Sequence, residues 1–315
     1  MARFSSVSPG REFFSSLLKS VHDLQDLQEP YDAEVPDDVN FLTAGVDVQS
    51  GGDDGGWFAV KVVGWSHHER ARVIGYWELR ENPLTTADAW LGLEAFLKRG
   101  FRDGDGKVHY IQGAAIDSGG HYTQEVYDFA EKHRRRRWWA VKGRNNAAGK
   151  RSDSIWPAKI SDNGRVYMID VDIAKDTLFR RLHGDADARN AVTFPLNALP
   201  GAVSMDGHFF EKLTRERKEY VPGGSGYKWT SPRDQEPWDT LVYAYAAVHG
   251  LRSLPGGETF KKLTGPAPED IRRAAENRAK RGGNPRKADA PSPAAQATPA
   301  AKPKKKKRRW GVQLG

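Results

Sequence analysis

The stretch FLTAGVDVQSGGDDGGWFAVKVVGW, residues 41–65, decides the fold. Two β-branched, apolar runs flank a Gly/Asp cluster, which predicts two antiparallel strands joined by a hairpin turn. Asp47 breaks the pattern. It stands inside the first strand, between Val46 and Val48, with no turn to serve. A carboxylate among such residues is costly to bury unless something pairs with it. Asp53 and Asp54 lie beyond the strand and read as turn residues.

Further along the chain, RARVIGYWELR predicts a third strand. TTADAWLGLEAFLKR predicts a helix capped by Thr85 or Thr86. HYIQGAAIDSGG reads as a buried strand, HYTQEVYDFAEKHRRR as a helix and RWWAVKG as another strand. The order is β-β-β-α-β-α-β. That is the order of the ribonuclease-H-like fold: an α/β mixed sheet with three antiparallel strands, then βα units, flanked by helices. The link at this point is fold-level analogy. Residues 151–235 are less regular, with a strand and helix in GRVYMIDVDIAKDTLFRRL and a short helix in HFFEKLTRERKEY. PWDTLVYAYAAVHGLR predicts an amphipathic helix with Trp238, Leu241, Tyr245 and Val248 on one stripe.

The expected organisation has three parts. Residues 1–39 form a lead-in: a short helix around Phe13, Phe14, Leu17, Leu18, Val21 and Leu24, then the Pro-punctuated QEPYDAEVPDD. Residues 40–252 form the folded domain. Residues 253–315 are Pro/Ala-rich and then basic, a composition that predicts a chain without a packed core. The chain carries a formal +8. Residues 251–315 hold 17 Lys+Arg and 5 Asp+Glu, a net +12, so the first 250 residues carry −4. The basic character belongs to the tail.

There is no cysteine, which excludes disulfides and thiolate metal sites and fits a reducing compartment. No run of about 18 apolar residues occurs, so no membrane span is expected. The N-terminus lacks the apolar segment of a signal peptide.

Three aspartates carry the candidate chemistry. Asp47 is mid-strand, Asp117 ends the apolar run GAAID, and Asp239 is in the first turn of the last helix. In the ribonuclease-H-like order the first and fourth strands are neighbours and the last helix crosses their face, so the three would converge. Clustered carboxylates repel and stay ionised only around a cation. Oxygen-only ligands suit Mg²⁺ or Mn²⁺. Two such ions about 4 Å apart activate a water and stabilise the leaving oxygen of a phosphodiester. Taken singly, Asp239 also reads as a favourable acid at a helix N-terminus, and Asp117 as a turn residue.

The segments LTAGVDVQ, VVGW, AAIDSGGHYTQEVYDFA, AVKG, VDIAKDTLFRRL and PWDTLVYAYAA, in this order over residues 38–250, resemble the endonuclease domain of the GpA-type terminase large subunit of tailed phages. Pro237-Trp238 replaces the residues usual in that family before Asp239. The resemblance implies a metal-dependent nuclease, Asp47, Asp117 and Asp239 as catalytic and metal-binding residues, two Mg²⁺ or Mn²⁺ ions and double-stranded DNA as substrate. It also implies a small terminase subunit, a portal protein and an ATPase motor as partners, in the cytoplasm of a bacterial host. No phosphate-binding loop is expected in this chain. GRNNAAGKR, residues 143–151, has five residues between its glycines and Arg151 where Ser or Thr belongs.

Candidate DNA contacts are Lys142 in WWAVKG, Lys175 in VDIAKD, His121 after DSGG, and Lys304, Lys305, Lys306, Lys307, Arg308 and Arg309 in the tail. Each has a plainer reading, as a strand end, a helix terminus or a solubilising tail. HRRRRWW, residues 133–139, offers cations to DNA, while its Trp pair belongs to the buried strand. His67 and His68 sit in a hairpin turn without a metal-ligand partner. Two other readings stay open: another ribonuclease-H-like nuclease such as a resolvase, and an inactive prophage remnant or DNA-binding packaging-assembly protein.

Overall fold

A computed structural model describes residues 20–51, 55–144, 153–161, 164–185, 187–221, 226–230, 235–256, 258–266 and 268–281. The expected turn at Asp53 and Asp54, residues 145–151 of GRNNAAGKR, the part of the expected lead-in helix before Ser20, and Lys304 to Arg309 lie outside them. The elements, in chain order, are α1 (Val21–Gln25), β1 (Gln28–Glu29), β2 (Phe41–Gln49), β3 (Trp57–Trp65), β4 (Ala71–Leu79), α2 (Ala87–Leu97), β5 (Gly100–Arg102), β6 (Val108–Asp117) and α3 (Thr123–Lys132). There follow β7 (Trp138–Gly143), β8 (Tyr167–Ile169), α4 (Val171–His183), β9 (Val192–Pro195), α5 (Gly207–Leu213), β10 (Arg217–Val221), β11 (Gly226–Thr230), α6 (Glu236–Arg252), α7 (Glu258–Thr264) and α8 (Pro268–Arg281).

The main sheet runs β1-β9-β4-β3-β2-β6-β7-β8, with β5 on β6. β2, β3 and β4 pair antiparallel. β6 joins β2 in parallel and β7 joins β6 in parallel. This is the ribonuclease-H-like arrangement expected from the order of elements. Each parallel step needs a crossover, and helices supply it. β2 and β3 are buried almost throughout, as strands covered on both faces must be. Two apolar clusters result, one on each face of the sheet. α2 and α3 cover one face, with Leu93, Leu97, Val126 and Phe129 in its cluster. α4, α5 and α6 cover the other, with Leu178, Phe210, Leu241 and Val248.

The structure differs from expectation in three places. α6 is not amphipathic: 13 of its 17 residues are buried, because it lies between the sheet and α4, α5 and α7. Residues 151–235 contain β9 and the hairpin β10–β11; Arg217–Val221, expected to continue a helix, is a strand paired with Gly226–Thr230. The segment after Ser253 contains helices. α7 forms because Phe260 packs edge-on against Phe41, with ring centroids 5.7 Å apart. α8 is a run of Ala, Glu, Arg and Lys with good helix propensity. Residues 1–267 and 268–315 form separate compact units, of which α8 is the described part of the second. Among the described residues, no helix is long and apolar enough to cross a membrane.

Candidate active site

Strand register places the first two acids. Val46 is opposite Ile116 in the parallel β2–β6 pair, so Asp47 and Asp117, one step on, share the C-terminal edge of neighbouring strands. Gly45 and Ala115 precede each by two residues, and both acids share their face, the one covered by α6. α6 reaches this face through a gap that only glycine leaves. A β-carbon at Gly45 would lie 1.9 Å from the Thr240 carbonyl oxygen and 2.5 Å from the Ala244 nitrogen. The Thr43 hydroxyl donates to the Ala244 carbonyl at 2.8 Å and receives the Trp65 indole N–H at 2.7 Å. With Ala244 tied to Thr43, the N-terminal turn of α6 lies at the C-terminal edge of β2. Asp239 belongs to that turn.

Asp47 is buried, with 6% of its surface exposed. Burial, then the charges of Asp117 and Asp239, push its carboxyl well above the usual carboxylate range. The Gln49 side-chain amide donates to it at 2.5 Å and opposes that shift. Glu236 adds to the negative field on Asp47. Asp117 accepts the Gly119 N–H at 3.1 Å. Burial, with a contribution from Asp239, raises its pKa to about 6, against the pull of Gly119. Tyr243, one turn past Asp239 on α6, has its phenol pKa raised by burial, then by Asp117, Asp239, Asp47 and Glu216.

Asp239 is held differently. Its Oδ2 accepts the Gln235 amide at 3.1 Å, and its Oδ1 lies 3.3 Å from Lys175 Nζ. Lys175 also meets both oxygens of Glu216, at 2.8 and 2.6 Å. Burial alone would lower the Lys175 pKa, but Asp239 and Glu216 raise it instead. Lys175 was expected at a DNA phosphate; its ammonium is buried and taken by two carboxylates. Lys142 is exposed at the end of β7 and pulls the Asp117 pKa down. Val141, its neighbour, is the residue paired with Asp117, so Lys142 starts from the opposite face of the strand. His121 is exposed in the turn before α3. Trp138 and Trp139 are buried in β7, as expected.

Sequence reasoning missed Glu216, Glu236, Gln49 and Lys61. Lys61 is fully buried mid-strand in β3, and its Nζ donates to the Pro237 carbonyl at 2.6 Å, under the first turn of α6. Its ammonium also lies 4.8 Å from the Phe209 ring centroid. Burial drives its pKa well below that of an ordinary lysine. The only available signal was a lone cation in the apolar run FAVKVVGW.

Among the described residues, no three His, Cys, Asp or Glu side chains are gathered tightly enough to hold a metal ion as they stand. The donor set fits a hard divalent cation in kind: oxygen only, converging from two strands and a helix, and mutually repelling. Gln49, Lys175 and the Gly119 N–H each engage an oxygen that such a cation would claim.

Residues 16–255 match the family model for the terminase large subunit gpA, endonuclease domain. The chain belongs to this family. It is 29% identical over 230 residues to the large terminase subunit of Escherichia phage lambda, covering 70% of this chain and 34% of that protein. It is 29% identical over 231 residues to the same subunit of Enterobacteria phage P21, covering 71% and 35%. The gpA-family chain thus spans about a third of the length of these curated relatives. Among solved structures it resembles the nuclease domain of the large terminase subunit gp2 of bacterial virus Sf6. That match has a TM-score of 0.40 and 12% identity, and covers 72% of this chain and 93% of the other.

Proposed function

We propose that this terminase nuclease domain cuts double-stranded DNA at a divalent-metal site formed by Asp47, Asp117 and Asp239. The observation that carries the reading is the meeting of three acids from β2, β6 and α6 on one face, at one end of the sheet. Two of them have raised pKa values. Close acids that raise one another's pKa in this way give up their protons to a cation that takes their place. Asp47, Asp117 and Asp239 would hold Mg²⁺ or Mn²⁺, as two ions, which would supply a water of lowered pKa and positive charge at the phosphodiester. Gln49 orients Asp47. Lys175 and Gln235 fix the orientation of Asp239.

The same reading assigns cutting to residues 40–252, with residues 1–39 as a lead-in and the basic segment near residues 304–309 as a non-specific DNA tether. The biological setting is the cutting of concatemeric viral DNA during genome packaging, with an ATPase motor, a small terminase subunit and a portal protein, in the host cytoplasm. Supercoiled plasmid incubated with the protein and Mn²⁺ or Mg²⁺ tests it. Nicked and linear products are expected with the ion and not with EDTA. A plasmid left intact at every ion concentration overturns the reading.

A further inference from the structure

Beyond the acids lies a second row of side chains, of which only Gln49 has a part in that reading. Asp47 is opposite Ala59, and Ala59 is opposite Glu78, across β2, β3 and β4. Two residues further toward the same edge, Gln49 is opposite Trp57. Phe58 pairs with Leu79, so Arg80 stands opposite Trp57 as the row continues. Side chains two residues apart share a face, so Gln49, Trp57 and Arg80 lie on the face of the acids, one row nearer solvent.

Arg80 is built into this position. Its guanidinium carbon lies 3.7 Å from the Trp57 ring centroid. Its Nε donates to Glu78 at 2.9 Å. Half of the side chain, 51%, stays exposed. Among the described residues its two terminal nitrogens have no hydrogen-bond partner. A stacked guanidinium loses little freedom on binding, and its fork matches two oxygens of a phosphate. The need for such a cation follows from the charges nearby. The acids and the ions they would hold serve the reacting phosphate, Lys175 is committed to Asp239 and Glu216, and the phosphates on either side are left without a partner there. A strand brought to these acids requires positive charge at the rim.

We propose that Arg80, stacked on Trp57, grips a DNA phosphate beside the one that is cut. β4 is two strand spacings from β2, about 10 Å, so Arg80 serves a neighbouring phosphate and leaves the reacting one to the acids. This rests on the reading of the site as a DNA nuclease. Arg80 is a positioning residue for the bound strand and touches no reacting atom.

The test is equilibrium binding of a fluorescent DNA duplex to the full chain in Ca²⁺, over a range of salt concentrations. It compares wild type, Arg80→Gln, Arg80→Lys and Arg102→Gln, the last on a different edge of the molecule. Arg80→Gln should weaken binding about 3- to 10-fold and reduce the slope of log K against log salt by about 1. Arg80→Lys should keep the slope, and Arg102→Gln should match wild type. In cutting assays Arg80→Gln should raise KM for DNA while the Mn²⁺ concentration giving half-maximal rate stays put. An Arg80→Gln variant with a lowered Tm but wild-type affinity and slope would show that Arg80 only covers Trp57, and the inference falls while the nuclease reading stands. Wild-type protein that binds no DNA would sink both.

Discussion

Gly45 of β2 and Thr240 of α6 touch so closely that a β-carbon on Gly45 would lie 1.9 Å from the Thr240 carbonyl oxygen. That contact sets how near α6 can come to the strand that carries Asp47, and Asp239 sits one residue before Thr240. Gly45→Ala must therefore push α6 off the sheet. The expected cost is about 1–3 kcal/mol, typical of overpacking a tight core, with cutting lost beyond what the stability change explains. Denaturant unfolding and a nicking assay on the same sample check it. A variant that is destabilised yet cuts at the wild-type rate would separate the helix position from the chemistry.

Lys175 bridges Glu216 and Asp239 and offsets part of their charge. Lys175→Met leaves the buried Glu216 facing the half-buried Asp239 with no cation between them, a change expected to cost about 3–5 kcal/mol. A bound cation restores part of this charge balance. Melting curves with and without Mn²⁺ should show a larger Mn²⁺-dependent rise in Tm for Lys175→Met than for wild type. Equal rises would mean that the ion does not sit beside Asp239.

Asp117 has its pKa raised to about 6, chiefly by burial. A carboxyl with a raised pKa holds its proton more tightly folded than unfolded. Its contribution is therefore favourable in acid and is lost as pH rises from about 4, the unfolded value, to about 6. In EDTA, Asp117→Asn should be more stable than wild type at pH 7 by on the order of 2 kcal/mol, and the two should converge below about pH 4. Asp47 shifts in the same direction. Mn²⁺ should bind more tightly as pH climbs through this window, because the ligands must lose their protons first. A flat stability difference between pH 4 and pH 7 would contradict the assignment.

Lys61 tests the support beneath α6. Lys61→Met roughly conserves volume and removes a buried amino group whose charged form is costly there, so its stability change should stay within about 1.5 kcal/mol. Lys61→Ala leaves a cavity under Pro237 and should cost about 2–5 kcal/mol. Chemical denaturation resolves the two. Equal losses would show that the ammonium, and not the volume, matters.

The sequence made the centre of this fold readable and its periphery hard to read. β2, β3, β4, β6 and β7 were legible because each is a β-branched or aromatic run closed by Gly, Asp or His-rich turns. Asp47 stood out because a charge inside such a run has no local use. Asp117 and Asp239 came from the topology, which one chain of strands and helices suffices to order. Glu216 was invisible: it lies in the polar run LTRERKEY, and only the docking of β10 beside α4 buries it against Lys175. Lys175 itself carried no sign of burial, since its helix has charged residues on several sides. α6 misled in the other direction. Its apolar stripe was real, but small residues such as Ala244, Ala246 and Ala247 let neighbours close over the remaining faces.

In the proposed site Asp47 is one of three acids that cut DNA through a divalent cation. That role is tested most directly by the Mn²⁺-dependent rate of plasmid nicking by wild type and by Asp47→Asn, which keeps the side chain's shape. A loss of at least about 100-fold is expected, with the fold and DNA binding intact. Nicking by Asp47→Asn at the wild-type rate would contradict it.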